Sequence, residues 1–252
     1  MSIEPTCEFC GLCDKYRCKT AEQAEDCHHA PVEGKSPVVV SGPLEGLRRR
    51  HYGAILADPP WSFLTRSDKG KDRSPEQHYD CMSLDQIKAL PVSELAAKDC
   101  VLFMWTIDTH LPMALDVIRA WGFEHKTRAF EWVKLQEKIA DYPLEDRDVL
   151  ADKPFFKGMG FWTRANPESC LLATTGSPKR QSAKVRRLIV TARREHSRKP
   201  DEVYEAIEAL VNGPYCELFA RTERPGWDQM GNEIGKFNPL HPVEEAEIED
   251  LL

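Results

Sequence analysis

Residues 52–63, YGAILADPPWSF, constrain the fold of this chain more than any other stretch. An apolar run over 53–57 reads as a buried strand, then meets an acid and two prolines. Proline lacks the N–H that a strand ladder needs, so Pro59 and Pro60 mark where the chain leaves the sheet. Asp58 and Trp61 therefore sit at a strand's carboxyl end. In open α/β sheets that edge is where ligands bind, which makes this stretch a candidate active-site corner.

The flanking pattern predicts the sheet. After the first strand at 53–57 come a helix near 84–97, a strand at 101–105, a helix over 110–121 and a strand at 127–135. Strands at 169–176 and 187–192, a helix over 200–211 and a strand at 215–220 follow. This alternation is a βαβ rhythm and predicts an α/β fold with a largely parallel sheet. Pro200 suits a first helical position, and Asp201 and Glu202 favour the positive helix end. Residues 136–160 are polar and irregular, and too long for an ordinary connection. GMGFW at 158–162 follows no strand and lacks the third glycine of a dinucleotide fingerprint.

Length and charge narrow the function classes. A chain of 252 residues with 41% hydrophobic and 30% charged content has enough apolar material for one sizeable core. It has no apolar run of membrane-spanning length, and MSIEPTCEFC has no signal-peptide core, so a cytoplasmic protein without a membrane partner is expected. The nine cysteines then read as free thiols or metal ligands. Net charge is −7, but residues 179–199 hold nine Lys or Arg against one acid, Glu195. Either this stripe is a solvated face, or Lys179, Arg180, Lys184, Arg186 and Arg187 follow a phosphate backbone.

The termini differ from the rest. Residues 1–35 form a Cys-rich segment and linker, residues 36–240 the main domain, and 241–252 an acidic tail holding EEAEIEDLL. In the first segment Cys7 and Cys10 make a CxxC half-site that Cys18 and Cys27 can complete around a tetrahedral zinc. An iron–sulfur site and an unstructured Cys-rich tail are the alternatives.

Four motifs occur in order: DPPW at 58–61, RKPDEVYEAIEAL at 198–210, ELFAR at 217–221 and GWDQMGNE at 226–233. Together they resemble the DPPW-type N6-adenine methyltransferases. This family includes the catalytic MT-A subunit of the messenger-RNA N6-adenosine methyltransferase and bacterial and phage relatives. The resemblance implies a Rossmann-like methyltransferase with permuted motif order, using S-adenosylmethionine to methylate adenine N6 in nucleic acid.

An adenine amino group is a poor nucleophile because its lone pair is delocalised. Asp58 and the Pro59 carbonyl can accept its two hydrogens, Pro60 stiffens the turn, and Trp61 can stack on the base. By resemblance, Glu217 meets the cofactor ribose, Arg221, Asn232 and Glu233 complete that end, and Lys199 lies near the methionine end, where Asp58 can also reach. Position 40 is Val where eukaryotic relatives carry an acid, and Glu233 stands where they have Gln. DNA is the expected substrate because the compact chain resembles bacterial and phage members. RNA methylation, a catalytically inactive nucleic-acid-binding homologue and an amine methyltransferase are the alternatives.

Overall fold

The structure is a computed structural model that describes residues 40, 42–61, 82–136, 155–158, 160, 162–195 and 198–237. The four cysteines assigned to zinc and the acidic tail lie outside these residues. Seven strands form one sheet: β1 (Tyr52–Ala57), β2 (Ala96–Thr106), β3 (Glu124–Leu135), β4 (Glu168–Thr175), β5 (Leu188–Ala192), β6 (Tyr215–Leu218) and β7 (Trp227–Met230). Their order is β5-β3-β4-β2-β1-β6-β7. β1 pairs in parallel with β2 and β6, as do β3 with β5 and β6 with β7, while β4 runs antiparallel to both β2 and β3. The fold is therefore mixed α/β, with one reversed strand in an otherwise parallel sheet.

The helices α1 (Leu84–Lys88), α2 (Leu111–Ala120) and α3 (Glu202–Leu210) account for the continuous apolar character of the central strands. Alternate residues of a strand point to opposite faces. Ile55, Ala57, Leu102 and Met104 pack with Ile87, Val117, Ile118 and Trp121 on the α1–α2 face. Ala54, Leu56, Val101, Phe103 and Trp105 pack with Val203, Tyr204 and Ile207 of α3 on the other. A strand covered on both faces cannot show a polar alternation, which is why β1 reads as an unbroken run. Full burial of a side chain such as Ile55 or Ile118 contributes about 1.5–3 kcal/mol. Trp121 also pins α2 to α1, donating from Nε1 to the Ile87 carbonyl at 2.8 Å.

Three sequence expectations need correction. The helix expected over 84–97 ends at Lys88, a short 3-10 turn covers Val92–Glu94, and Ala96 already belongs to β2. Pro91 is the cause: it disfavours helical backbone at Leu90 and cannot continue the helix itself. The strand expected at 215–220 stops at Leu218, because Phe219 turns to φ 64°. Finally, GWDQMGNE contains β7, an edge strand that the sequence pattern does not predict. Its glycine and polar residues hide a pattern that is only half-buried in any case.

Candidate active site

The corner forms where β1 ends between its two parallel neighbours. Ala57 stands level with Met104 of β2 and Leu218 of β6, so the next residue, Asp58, emerges at the sheet's carboxyl edge. The turn that follows is closed by main-chain bonds. Trp61 N donates to the Pro59 carbonyl at 2.8 Å, and Met82 N donates to the Pro60 carbonyl at 3.1 Å. Trp61 is buried, with its indole nitrogen 3.4 Å from the Trp105 carbonyl and its ring tilted against His110.

A chain of charges crosses this edge. Lys199, just ahead of α3, places Nζ 2.7 Å from Asp58 Oδ2 and 3.3 Å from Glu168 Oε2. The other Glu168 oxygen is held by Lys134 of β3. Lys199 also lies 5.6 Å from the Trp105 ring centroid. Burial opposes the charge on Lys199, but the Asp58 and Glu168 carboxylates outweigh it and raise its pKa. Burial likewise opposes ionisation of Glu168, yet Lys199 and Lys134 bring its pKa down to about 2. Lys199 and Glu168 are thus held charged, in contact with Asp58 and Lys134.

One strand away the same pocket holds an acid treated differently. Glu217 on β6 is 8% exposed. Tyr204 Oη of α3 lies 3.0 Å from both its oxygens, and Gln229 of β7 donates to Oε2 at 2.7 Å. The β6–β7 register sets Gln229 directly beside it. These neutral donors only partly offset burial, which raises the Glu217 pKa to about 7.

Asp58, Lys199, Glu217, Phe219 and Arg221 line this one pocket together with Leu56. Arg221 pairs with Glu233 at 3.4 Å, while Asn232 is exposed. Gly231 lets this last motif approach β6: a Cβ there would lie 2.1 Å from the Ala220 carbonyl oxygen. The positive φ of Phe219 is a strained conformation for a bulky residue, and it falls on the pocket wall. An acid with spare lone pairs, a half-buried cation and an apolar wall suit a ligand that carries hydroxyls, a carboxylate and an aromatic base.

The sequence motifs therefore converge, although positions 58 and 199 are 141 residues apart. The basic residues do not share the pocket. Lys179, Arg180, Lys184, Arg186 and Arg187 are all exposed. β4 delivers the chain to the opposite end of the sheet, where Thr175 pairs with Cys100 and Gln181 bonds the last turn of α3. From there the stripe climbs the β5 edge, with Arg187 donating to Thr127, and reaches the pocket side near Arg193.

The sequence pattern does not single out Glu168, Lys134, Tyr204, Gln229 or Trp105. Tyr204 and Gln229 lie inside two of the four ordered motifs. Lys134 and Glu168 sit at strand ends facing one edge, a signal visible only once the strand order is known.

The description "MT-A70" belongs to the family model that matches residues 52–233. The type II methyltransferase M.MunI of Mycoplasma sp is 30% identical over 220 residues, covering 81% of this chain and 86% of that protein. An N(6)-adenosine-methyltransferase MT-A70-like protein of Arabidopsis thaliana is 27% identical over 186 residues, 73% of this chain but 24% of its own length. The human N(6)-adenosine-methyltransferase catalytic subunit METTL3 is 26% identical over 195 residues, 76% of this chain and 30% of its own length. With three of its four motifs lining one pocket, the fourth bonded to them through Gln229 and Glu233, and the match running through all of them, the chain belongs to the MT-A70 family.

Proposed function

We propose that this protein transfers the methyl group of S-adenosylmethionine to N6 of adenine in DNA, on a Rossmann-like methyltransferase fold with permuted motif order. The observation that carries the reading is the Asp58–Lys199 ion pair at the end of β1, in the same pocket as Glu217. The bound cofactor supplies an electrophilic sulfonium methyl. Asp58 accepts a hydrogen bond from the adenine amino group and stabilises positive charge developing on its nitrogen. Lys199 fixes that carboxylate by its Oδ2 atom. The Pro59 carbonyl, which uses one lone pair on Trp61 N, offers the other to the second amino hydrogen. Glu217 accepts from the ribose hydroxyls, and Arg221, Asn232 and Glu233 close that end. Trp61 supports the corner from beneath. Positioning and electrostatics carry the rate, with no covalent intermediate.

DNA is favoured because the chain matches a bacterial type II methyltransferase nearly end to end, and spans under a third of the eukaryotic enzymes. RNA is the second reading, supported by similarity to the N(6)-adenosine enzymes over most of this chain. An inactive homologue is disfavoured by the intact Asp58 and the Lys199 cation paired with it. A structural zinc on Cys7, Cys10, Cys18 and Cys27 and a cytoplasmic location remain part of the proposal. Among the described residues, which do not include these cysteines, no metal cluster occurs, and no helix is long and apolar enough to cross a membrane. The test is incubation with labelled S-adenosylmethionine and separate DNA and RNA pools, followed by digestion to nucleosides. Label in N6-methyldeoxyadenosine is expected; label only in the ribonucleoside selects RNA, and label in neither rejects the reading.

A further inference from the structure

The turn over residues 155–166 carries chemistry that the pocket does not use. It hangs from the carboxyl end of β3. Phe155 bridges to Leu135, and Phe156 N donates to the Lys134 carbonyl at 2.9 Å. The Asn166 side chain accepts from Lys134 N at 2.9 Å and donates to the Lys134 and Phe156 carbonyls at 2.8 and 2.7 Å. Gly158 N closes the turn onto the Ala165 carbonyl at 2.8 Å. A Cβ on Gly160 would lie 1.9 Å from the Thr163 oxygen, so a larger residue does not fit there.

On this anchored turn Trp162 is 100% exposed. Its φ of 69° is one that a bulky residue occupies only at a cost in free energy. Residues 155–166 contain no acid, and Lys157 and Arg164 are both exposed. Arg193 sits beside the turn, its guanidinium 4.8 Å from the Phe156 ring centroid. The turn also stands at the reactive edge. Lys134, its anchor, pairs with Glu168, Glu168 with Lys199, and Lys199 with Asp58. Trp61 at the corner is buried, whereas Trp162 offers an open aromatic face.

An exposed indole flanked by cations, on a segment without acids, suits bases that are splayed out of a helix: the ring stacks on a base and the cations meet phosphates. We propose that Trp162 stacks on a nucleobase next to the target adenine while Lys157 and Arg164 contact the adjoining phosphates. This inference rests on the reading of the protein as a nucleic-acid methyltransferase. It assigns to the 155–166 turn the grip on the strand around the flipped base.

The experiment compares the full-length wild type with Trp162→Ala and Trp162→Phe. Binding is measured by fluorescence anisotropy on a labelled oligonucleotide that the wild type methylates, with calorimetry for S-adenosylmethionine and sedimentation for oligomeric state. Trp162→Ala should weaken oligonucleotide binding about tenfold and raise KM for nucleic acid with little change in kcat. Cofactor affinity should not change, and Trp162→Phe should recover most of the loss because it keeps a stacking face. Unchanged oligonucleotide affinity in Trp162→Ala overturns the proposal. So does a wild-type dimer that Trp162→Ala converts to a monomer without loss of nucleic-acid affinity, which would make the indole a protein contact. A wild type that neither binds nor methylates any nucleic acid overturns the function itself and this inference with it.

Discussion

Glu168 and Glu217 are two glutamates at one edge of one sheet, both shielded from solvent, yet their surroundings drive them in opposite directions. Glu168 lies between Lys134 and Lys199, and its pKa falls to about 2. Glu217 is met by a phenol and an amide, and burial raises its pKa to about 7. A formal charge offsets desolvation where a neutral hydrogen bond does not. The pocket therefore has one half in which Lys199 and Glu168 are held charged and a titrating half around Glu217. The first suits work on a nitrogen that gains positive charge, and the second suits hydroxyl groups whose binding is adjusted by the ligand itself.

The strongest way to break this contrast is to remove the cation that maintains it. Lys199→Met leaves Asp58 and Glu168 sharing a half-buried edge without their common partner; breaking a fully buried pair costs about 3–5 kcal/mol, and the loss at this partly exposed edge is smaller. A fall in thermal midpoint at pH 7.5 is expected by calorimetry, with partial recovery at low pH as Glu168, relieved of one of the two lysines that hold its pKa down, protonates. An unchanged midpoint would mean that the ion pairs form only loosely.

Asp58→Asn probes the same half through its chemistry. It keeps the shape but removes the charge and can present an NH2 to the substrate NH2. Loss of one preorganised electrostatic partner lowers the rate by about 100- to 1000-fold, and single-turnover methylation should show at least that loss in a folded protein. A near wild-type rate would reduce the DPPW corner to a structural turn.

The titrating half predicts a pH effect of definite sign. Because the folded pKa of Glu217 lies above its ordinary value of 4.5, the folded state holds a proton that the unfolded state releases between pH 4.5 and about 7. Its contribution to stability is therefore present below pH 4.5 and lost as pH rises through about 7. Glu217→Gln should raise stability at pH 8 by on the order of 1–3 kcal/mol and change little at pH 4.5, which denaturant melts at the two pH values will check. Cofactor affinity of the wild type should run the other way, increasing from pH 6 to 8 as the carboxylate ionises, and the variant should flatten that profile.

The smallest effect concerns cations that are solvated rather than buried. Neutralising Arg186 and Arg187 should leave the thermal midpoint nearly unchanged but lower the salt slope of nucleic-acid binding by about 1.4–1.8 units. A slope identical to the wild type would make the β5 edge an ordinary solvated surface.

Much of the site is legible in the order of the residues. The two prolines force Asp58 to a strand end, and the ordered motifs single out Lys199, Glu217 and Arg221, which do share a pocket. The misreadings have equally physical causes. Residues 84–97 carry apolar positions at helix-like spacing among polar ones, and Pro91 is what interrupts them. β4 reads the same whether it runs with its neighbours or against them, since strands buried on both faces lose the alternation that would distinguish the cases. Trp61, read as a stacking face, packs beneath the corner, while Trp162, in a motif that matches no fingerprint, stands in solvent.

By itself the sequence determined what depends on local chemistry: where strands end, which faces are apolar, and which acids and bases occur beside those ends. The tertiary structure decided the electrostatic state of each group. Lys199 reaches Asp58 across 141 residues because the strand order places α3's leading residue over β1, and Glu217 gains Gln229 because β7 lies in register with β6. Charge in a low-dielectric pocket is set by whatever lies within a few ångströms, whatever its distance along the chain, and those neighbours exist only after the sheet has closed.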